Sequence, residues 1–459
     1  MGNSVKSQKL QKKLKNKNYY SSYPRLVVIS FLGLIAVSTM LLMLPISVKS
    51  GEISFLDALF TATSAGCVTG LIVFDTFSKW TLFGQLVIIC TIQIGGLGFI
   101  TIMTMLTRFV KKRVSLREKL LLRESMGTIY KGEMKSLVKV VLSGTILFEV
   151  LGAAILATQF IPQMGLKNGL YTAVFLSVSA FCNAGFDVMG RIESGSSLIT
   201  VNDNPVILLT ISMLIIVGGI GFIVWDDIYK RRANFKRYTV HTKLTLTATA
   251  VFLIVSAVLF AVFEWNNTLE NMPVWQKLLN AFFAGVTPRT AGFNSISVAD
   301  MSPVSKMITY ALMFVGGSSG STAGGIKTVT FAILVLCAIS TLKNKKDIEA
   351  FGRRISDDII RKSAAIVSIN FSAVFTASII ISLLQPQLGY TNIMFECISA
   401  IGTVGMTTGI TPLLNTVPKI IIALLMFIGR TTSLVFAFSI MYSHKNTTSR
   451  KPIGNIMIG

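Results

Sequence analysis

The sequence contains few charged residues for its length. Only 14% of its 459 residues are charged, whereas a soluble protein of this size would carry roughly a quarter. Hydrophobic residues make up 52%, and the mean hydropathy is +0.67. This shortage of charge argues against a soluble multidomain protein and predicts a polytopic membrane protein.

Histidines and paired cysteines are also scarce, which bears on enzymatic function. The two histidines, His241 and His444, lie in basic segments, and no cluster of bases, nucleophiles or metal ligands accompanies them. The five cysteines show no CxxC or other ligand spacing, so packing explains them better than a metal site. These shortages argue against a membrane enzyme, and no cofactor is expected in this chain.

Acidic residues are outnumbered by basic ones, 20 to 43, which gives a net charge of +23. The basic residues concentrate in the connections 6–17, 108–135, 230–243 and 343–362. The positive-inside rule places such segments in the cytoplasm. The charge therefore indicates topology and contact with anionic lipid, and argues against nucleic acid as a partner. We expect a plasma-membrane protein, bacterial in type, with both termini cytoplasmic.

Two kinds of apolar segment alternate along the chain. A membrane-crossing helix needs about 20 apolar residues, and the uncharged segments 26–48, 81–107, 205–225, 244–263 and 363–384 reach that length. Segments 140–161 and 420–442 each contain one charge, Glu149 and Arg430. The segments 55–66, 171–182, 274–286 and 390–402 are too short to cross and are predicted to be re-entrant helices.

A repeat with a long period organises these segments. Its first marker is a short stretch ending in glycine, and the four glycines are 115, 107 and 113 residues apart (185 − 70, 292 − 185, 405 − 292). We call these the glycine stretches: Val68-Thr69-Gly70, Asn183-Ala184-Gly185, Thr290-Ala291-Gly292 and Thr403-Val404-Gly405. A second marker follows each in the next apolar segment: Gly95-Gly96, Gly218-Gly219, Gly316-Gly317 and Gly429-Arg430.

The repeat predicts an all-α polytopic membrane protein with a pseudo-fourfold arrangement. Four tandem units, each a helix, a re-entrant pore helix, a filter stretch and a second helix, would surround one central ion pore. The predicted units are residues 26–107, 137–229, 244–342 and 363–443. Basic linkers 108–136, 230–243 and 343–362 join them, between an N-terminal tail, 1–25, and a C-terminal tail, 444–459. Eight spans and four re-entrant helices result.

The glycine stretches have the chemistry of a cation filter. Irregular backbone at membrane depth is tolerated only where protein or a water-filled cavity satisfies its peptide groups. Carbonyl oxygens free of helix bonding can replace the hydration shell of a cation, and glycine adopts φ > 0 cheaply while adding no side chain. We predict that the backbone carbonyls of the four stretches bind a cation, without any acidic side chain among them.

These residues resemble a known family over nearly the whole chain. Thr403-Val404-Gly405 is similar to the start of the potassium-channel filter signature, and the fourfold pattern resembles the Trk/Ktr/HKT superfamily, most closely the Ktr-type membrane subunit. The strings QIGGLGF at 93–99, TPRTAGFN at 287–294 and MFIGR at 426–430 carry the likeness. The short basic tail before the first span favours the Ktr branch over the Trk branch, which has an additional pair of spans.

The resemblance implies potassium uptake by this chain as the ion-translocating subunit. Glycine at all four filter positions implies selectivity for potassium, and the family implies sodium-dependent transport. It also implies a homodimer that docks a cytoplasmic, KtrA/KtrC-like regulatory ring, with nucleotide bound only on that separate subunit. The alternative is a secondary transporter of another cation or small solute, although such folds usually show two related halves and not four.

One segment of unit three departs from the repeat. Residues 307–342 would form a helix of about 54 Å and must break or protrude. The predicted break is the small-residue loop, Gly316, Gly317, Ser318, Ser319, Gly320, Ser321, Thr322, Ala323, Gly324 and Gly325. In the resembled family this segment is an intramembrane gating loop; close helix packing through small residues is the alternative.

Three charges lie inside predicted spans, where ionisable groups are costly. By resemblance Arg430 lies below the filter as an electrostatic barrier. It could instead pair with Glu149 or with carbonyls of the small-residue loop. Lys327 is either a positive component of the gate or a side chain that extends to the membrane surface.

Overall fold

The computed structural model describes residues 22–98, 134–232, 234–345 and 347–431, and this part of the chain is mostly helical. It also contains one short hairpin, β1 (Glu349–Ala350) and β2 (Arg353–Arg354). The helices are α1 (Ser22–Leu42), α2 (Phe55–Gly66), α3 (Thr76–Lys79), α4 (Leu82–Gly96), α5 (Met134–Met164), α6 (Leu166–Phe181), α7 (Pro205–Ile220), α8 (Phe222–Arg231), α9 (Val240–Glu264), α10 (Val274–Val286), α11 (Pro303–Phe314), α12 (Thr328–Leu342), α13 (Asp357–Leu384), α14 (Tyr390–Gly402) and α15 (Thr416–Thr431).

Side-chain caps fix several of the helix starts. The Ser54 hydroxyl accepts a hydrogen bond from the Asp57 amide at 3.1 Å, which begins α2. Asn204 caps α7 in the same way and is followed by proline at the first helical position. Such caps satisfy amides that have no partner within the helix. Polar residues thus determine where these apolar helices begin.

Three helices of the described residues are long and apolar enough to cross a membrane: Val138–Met164 within α5, α9 and α13. The side chains of Val251, Ile254, Val258 and Val262 on α9 are more than half exposed. An apolar face of this size is unfavourable in water but suits contact with lipid chains. The second spans predicted for units one and four extend to residues 107 and 442, outside the described ranges, so the eight-span topology stays a prediction.

Four shorter helices precede the glycine stretches. For α2, α10 and α14 the structure has the bounds that the sequence predicts. The fourth prediction, 171–182, begins too late, because α6 starts at Leu166 directly after Gly165, whose φ is 78°. All four pack between longer helices, and their ends before the glycine stretches are fully buried.

Two of the long apolar segments are interrupted. The predicted span 205–225 is wrong at its end, because α7 stops at Ile220 and α8 leaves at an angle of 89°. Gly221, with φ 105°, forms the corner. In unit three, α11 ends at Phe314 and α12 begins at Thr328, so the helix breaks across the small-residue loop as predicted.

One apolar core runs through all four predicted units and includes large phenylalanines such as Phe60, Phe175 and Phe395. A second, smaller cluster joins Leu244, Ile333, Ala350 and Ile355 around the hairpin. The hairpin lies in the basic segment predicted as a linker and was not expected. Helix α13 also begins inside that segment, at Asp357.

Candidate ion pathway

Each glycine stretch follows the carboxyl end of one of the short helices and has an unusual backbone. The first residues, Val68, Asn183, Thr290 and Thr403, have φ between 51° and 75°. The four glycines have φ between 68° and 96°. Left-handed backbone is uncommon in residues other than glycine and costs roughly 1–3 kcal/mol at each position. Its recurrence at equivalent positions shows that the four stretches share one conformation, including at β-branched residues.

The four stretches contact one another in a cyclic order. A Cβ on Gly70 would lie 2.5 Å from the Ala184 oxygen, and one on Gly185 would lie 2.6 Å from the Ala291 oxygen. A Cβ on Gly292 would overlap the Val404 oxygen, and one on Gly405 would overlap the Thr69 oxygen, which closes the cycle. Each glycine thus lies against the carbonyl that precedes the next glycine. No side chain could replace hydrogen at these positions without moving the neighbouring backbone.

Amides and carbonyls of the stretches differ in how they are bonded. The amides of Thr69, Ala184 and Val404 donate to the carbonyls of Ser64, Ser179 and Ser399 at 2.8–2.9 Å. In contrast, the twelve carbonyl oxygens of the four stretches accept no hydrogen bond from the described part of the chain. Buried carbonyls are almost always paired. A set of buried, unpaired oxygens in a closed cycle can coordinate a desolvated cation.

Residues outside the glycine stretches also support them. The hydroxyls of Ser64 and Ser399 accept hydrogen bonds from the amides of Gly70 and Gly405, at 3.0 and 3.1 Å. A serine stands six residues before the glycine in units one, two and four. A phenylalanine stands ten residues before it in every unit: Phe60, Phe175, Phe282 and Phe395. Both patterns could have been found from the repeat.

The second glycine marker has a structural role in three units. A Cβ on Gly95 would overlap the carbonyl of Gly66, and one on Gly429 would overlap that of Ile401. Gly218 stands in the same relation to Phe181. Each contacted carbonyl lies four residues before the filter glycine of the same unit. These glycines let the second helix of a unit approach the end of its own short helix.

Unit three departs from that relation because its second marker opens the small-residue loop. The loop is closed at its base, where the Gly316 amide donates to the Ile326 carbonyl at 2.9 Å. Its Ser318 amide donates to the Gly219 carbonyl at 2.9 Å, and the Phe222 amide donates to the Gly320 carbonyl at 2.8 Å. These bonds join the loop to unit two.

The same loop also lies against two of the glycine stretches. A Cβ on Gly324 would overlap the Thr403 side chain, and one on Gly316 would lie 2.9 Å from Thr290 Cγ2. The Thr322 hydroxyl donates to the Phe181 carbonyl at 3.2 Å and lies 3.2 Å from the Asn183 side-chain amide. The loop is therefore placed directly beside the glycine stretches of units two, three and four.

Arg430 and Lys327 both bond to backbone carbonyls. One Arg430 Nη donates to the Thr322 carbonyl of the loop, and the other donates to the Gly95 and Gly96 carbonyls at 2.5 and 3.1 Å. Lys327 Nζ donates to the Ala323 and Gly324 carbonyls at 2.7 and 3.3 Å. The Lys327 side chain therefore turns toward the loop backbone.

Glu149 does not form the ion pair that the sequence left open for Arg430. No ion pair joins these two side chains in the described residues, and Glu149 Oε1 is buried without a hydrogen bond there. The Glu149 carbonyl accepts a hydrogen bond from Ser177 at 2.7 Å. Of the two structural partners considered for Arg430, it therefore bonds to a loop carbonyl and not to Glu149, while its role as an electrostatic barrier stays a prediction.

A further buried cation, Arg289, lies three residues before Gly292. Its Nη2 donates to the hydroxyls of Thr249 and Thr328, at 3.3 and 3.4 Å. The Thr328 hydroxyl in turn donates to the Gly316 carbonyl at 2.8 Å. Arg289 therefore connects the third glycine stretch with the base of the small-residue loop.

Acidic side chains follow the glycine stretches in the chain, at the end away from the small-residue loop. Asp187 follows Gly185 by two residues, and its Oδ1 accepts a hydrogen bond from the Met189 amide at 2.9 Å. Burial, together with the nearby negative charge of Asp75, raises the pKa of the Asp187 carboxyl to about 6. Within the described ranges, no three His, Cys, Asp or Glu side chains are grouped so as to hold a metal ion.

Comparison with known proteins identifies the family. The family model TrkH, described as cation transport protein, matches residues 4–449. The chain belongs to the TrkH family of cation transport proteins. It is 39% identical to the Ktr system potassium uptake protein B of Bacillus subtilis over 95% of this chain and 96% of that relative. It is 38% identical to the potassium/sodium uptake protein NtpJ of Enterococcus hirae, over 95% and 97%.

A solved TrkH-family structure has the same fold. The potassium transporter TrkH from Vibrio parahaemolyticus aligns with a TM-score of 0.71 at 16% identity, over 90% of this chain and 84% of that one. Membership in the TrkH family confirms the resemblance that the sequence motifs indicated. Together with the apolar helices it identifies a multi-pass membrane protein of a transporter family, which is not a family of enzymes.

Proposed function

We propose that this chain is the ion-translocating subunit of a potassium uptake system and that the four glycine stretches form its selectivity filter. The cyclic contact of the stretches, whose twelve carbonyls accept no hydrogen bond within the described chain, is the observation that carries this proposal. The relatives named for potassium uptake support the choice of ion. The carbonyl oxygens of the cycle would replace the hydration shell of a potassium ion on its axis.

The short helices contribute to the preference for cations. Each of α2, α6, α10 and α14 ends directly before a glycine stretch, and a helix carries partial negative charge at its carboxyl end. Four such ends around one axis favour a cation without any carboxylate in the filter. Glycine in all four units keeps side chains out of the proposed conduit.

We further propose that the small-residue loop is the gate. Its contacts with the glycine stretches of units two, three and four support this proposal, because a loop beside the filter would obstruct an ion leaving it. Arg430 would hold the loop to unit one, and Lys327 and Arg289 add positive charge beside it. To open, the loop would have to break its hydrogen bonds with Arg430 and Lys327 and form others. The closed and open loops would then be two separate conformations.

Several finer features are proposed from the resemblance. The chain would reside in the plasma membrane with both termini in the cytoplasm, function as a homodimer and bind a separate KtrA/KtrC-like nucleotide-binding ring. Sodium would support uptake, in keeping with the potassium/sodium name of one relative. The bend at Gly221, where α8 meets the loop apex through the Phe222 amide, is a route by which a cytoplasmic partner could move the loop.

The filter can be tested by substitution of its glycines. Rubidium uptake and potassium-limited growth are measured in a strain without its own potassium transporters, for the wild type, Gly70→Ser and Gly292→Ser. Both substitutions add a side chain against a neighbouring carbonyl, so we expect lower rubidium uptake and weaker discrimination against sodium. Gly33→Ser is the control, because a Cβ there has no atom within 4 Å.

The outcome separates the proposal from its alternative. Unaltered selectivity in both filter variants would refute the filter assignment. Uptake of another cation or a small solute in place of rubidium would favour a secondary transporter. The gate is tested separately by deletion of residues 317–324, which should raise flux; unchanged flux would contradict it.

A further inference from the structure

Glu396 distinguishes unit four from the other three units. It lies on α14, nine residues before Gly405, and the residues nine before the other filter glycines are Thr61, Leu176 and Phe283. Its side chain is only 1% exposed. A carboxylate is almost never buried this deeply unless it is paired or coordinates a cation. The repeat therefore carries an acidic side chain at one position where the other units are uncharged.

The surroundings of Glu396 supply hydroxyls but few hydrogen bonds. Its Oε1 accepts a hydrogen bond from the Thr411 hydroxyl, which lies 3.1 Å from the Thr407 hydroxyl. Its Oε2 is buried and has no hydrogen-bond partner in the described residues, and the same holds for the Thr408 hydroxyl. The oxygens of Glu396, Thr407 and Thr411, which could ligate a cation, thus lie together where hydrogen-bond donors are few.

A second buried carboxylate shows what a purely structural one looks like in this fold. Glu264 is fully buried, and its Oε1 accepts from the Ser302 amide at 2.9 Å. Its Oε2 accepts from Asn267 Nδ2 at 2.8 Å and from the Thr268 hydroxyl at 2.7 Å. Both oxygens are satisfied by the protein. In Glu396, by contrast, Oε2 accepts no hydrogen bond from the described residues, and the carboxylate forms no ion pair with them.

The chain direction relates Thr407, the neighbour of Thr411, to the fourth glycine stretch. Thr403 contacts Gly324 of the small-residue loop, and the chain then passes through Gly405 to Thr407. Thr407 therefore follows the filter stretch at the end remote from the loop. One carboxylate and a few hydroxyls supply too little charge for a divalent ion, which takes six to eight oxygens and usually several carboxylates. They suit a monovalent alkali cation.

We propose that Glu396, with the hydroxyls of Thr407 and Thr411, forms a monovalent-cation site beside the fourth glycine stretch that concentrates potassium at the filter entrance. This inference rests on the proposed function and adds a specific residue to it. Unit four alone carries an acidic residue at this helix position. The carboxylate compensates part of the dehydration cost of the entering ion, and it acts on the encounter with the ion more than on the rate of passage.

The test is the dependence of rubidium uptake on rubidium concentration, measured with choline as the counter-cation. Glu396→Gln keeps the size and the acceptor for Thr411 but removes the charge. Loss of one charge near an entering cation should raise KM about tenfold, with the maximal rate nearly unchanged. Glu396→Asp, which keeps the charge, should recover most of the affinity. Thr407→Val removes a ligand only and should raise KM by a smaller factor.

The matched control is Glu264→Gln, which neutralises a buried carboxylate of equal depth and should leave KM as in the wild type. A wild-type KM for both Glu396→Gln and Thr407→Val would overturn the proposal, as would an increase in KM that appears only when sodium replaces choline. If Glu396→Gln is not monodisperse after purification, Thr407→Val and Glu396→Asp decide. Altered selectivity in Gly292→Ser alongside an unchanged Glu396→Gln would refute this site and leave the filter standing.

Discussion

Arg430 holds the small-residue loop against unit one, so its removal should loosen the proposed gate. The guanidinium donates through one nitrogen to the Thr322 carbonyl of the loop and through the other to the Gly95 and Gly96 carbonyls. The planar group thus bridges two elements from different units. A hydrogen bond from a charged donor contributes about 1.5–3 kcal/mol net. Only the bond to Thr322 reaches the loop, so that one bond sets the expected effect.

Loss of that bond should shift the balance between closed and open loop by about 10- to 150-fold toward open, since every 1.4 kcal/mol is about tenfold. The assay is rubidium flux into liposomes that contain the purified chain without any partner protein. Arg430→Gln should raise basal flux, and Arg361→Gln, which removes an exposed arginine of α13, should not.

Arg430→Lys separates two explanations of the same residue. If the guanidinium bridge holds the loop, lysine should also raise the flux, because one ammonium cannot reproduce a planar fork between two elements. If the positive charge alone obstructs cations, lysine should keep the flux low. Basal flux in Arg430→Gln that equals the wild type would refute the bridging role altogether.

Two other predictions concern the packing of Gly429 and the titration of Asp187. Gly429→Ala places a methyl group against the carbonyl at the end of α14 and should destabilise the detergent-purified protein by about 1–3 kcal/mol. Its control, Gly33→Ala, has open space around the added methyl group and should stabilise the protein by about 0.5–1 kcal/mol. Equal melting temperatures for the two variants would contradict the close packing of Gly429. Burial raises the pKa of Asp187 to about 6, so the folded protein takes up this proton before the unfolded chain does as pH falls. The affinity for the transported ion should therefore decline as external pH falls through about 6, because the carboxylate loses its charge. The free energy of unfolding should increase over the same pH range. If Asp187→Asn shows the same pH profile of uptake as the wild type, Asp187 is not the group responsible.

The sequence predicted the short helices well where apolar residues and turn residues alternate cleanly. The bounds of α2, α10 and α14 match. Helix α6 begins earlier than predicted because its first turn contains Lys167, Asn168 and Gly169, which resemble a loop. Its start depends on the left-handed Gly165, a backbone feature that composition does not reveal.

The bend of the second span in unit two shows where local pattern gives no information. The segment 205–225 is apolar throughout and reads as one helix. Its corner at Gly221 is held by the hydrogen bond between the Phe222 amide and the Gly320 carbonyl, from a residue about a hundred positions later. A contact between distant segments overrides the local preference, and the sequence of the segment alone cannot show it.

The candidate site was predictable in position but not in conformation. The repeat located the glycines, and the structure brings those four stretches into one cycle. Propensity argues against left-handed backbone at Val68, Thr290 and Thr403, since β-branched residues rarely adopt it. Local pattern does not single out Glu396, because a carboxylate in a short helix does not interrupt any long apolar span.

The central claim is that potassium binds among the carbonyls of the four glycine stretches, and ion density tests it most directly. Crystals of the purified protein grown in rubidium would be measured at the rubidium absorption edge. We expect anomalous peaks on the axis encircled by the carbonyls of Thr69, Ala184, Ala291 and Val404, which weaken in the Gly292→Ser variant. Absence of a peak on that axis, with rubidium bound elsewhere in the protein, would contradict the filter.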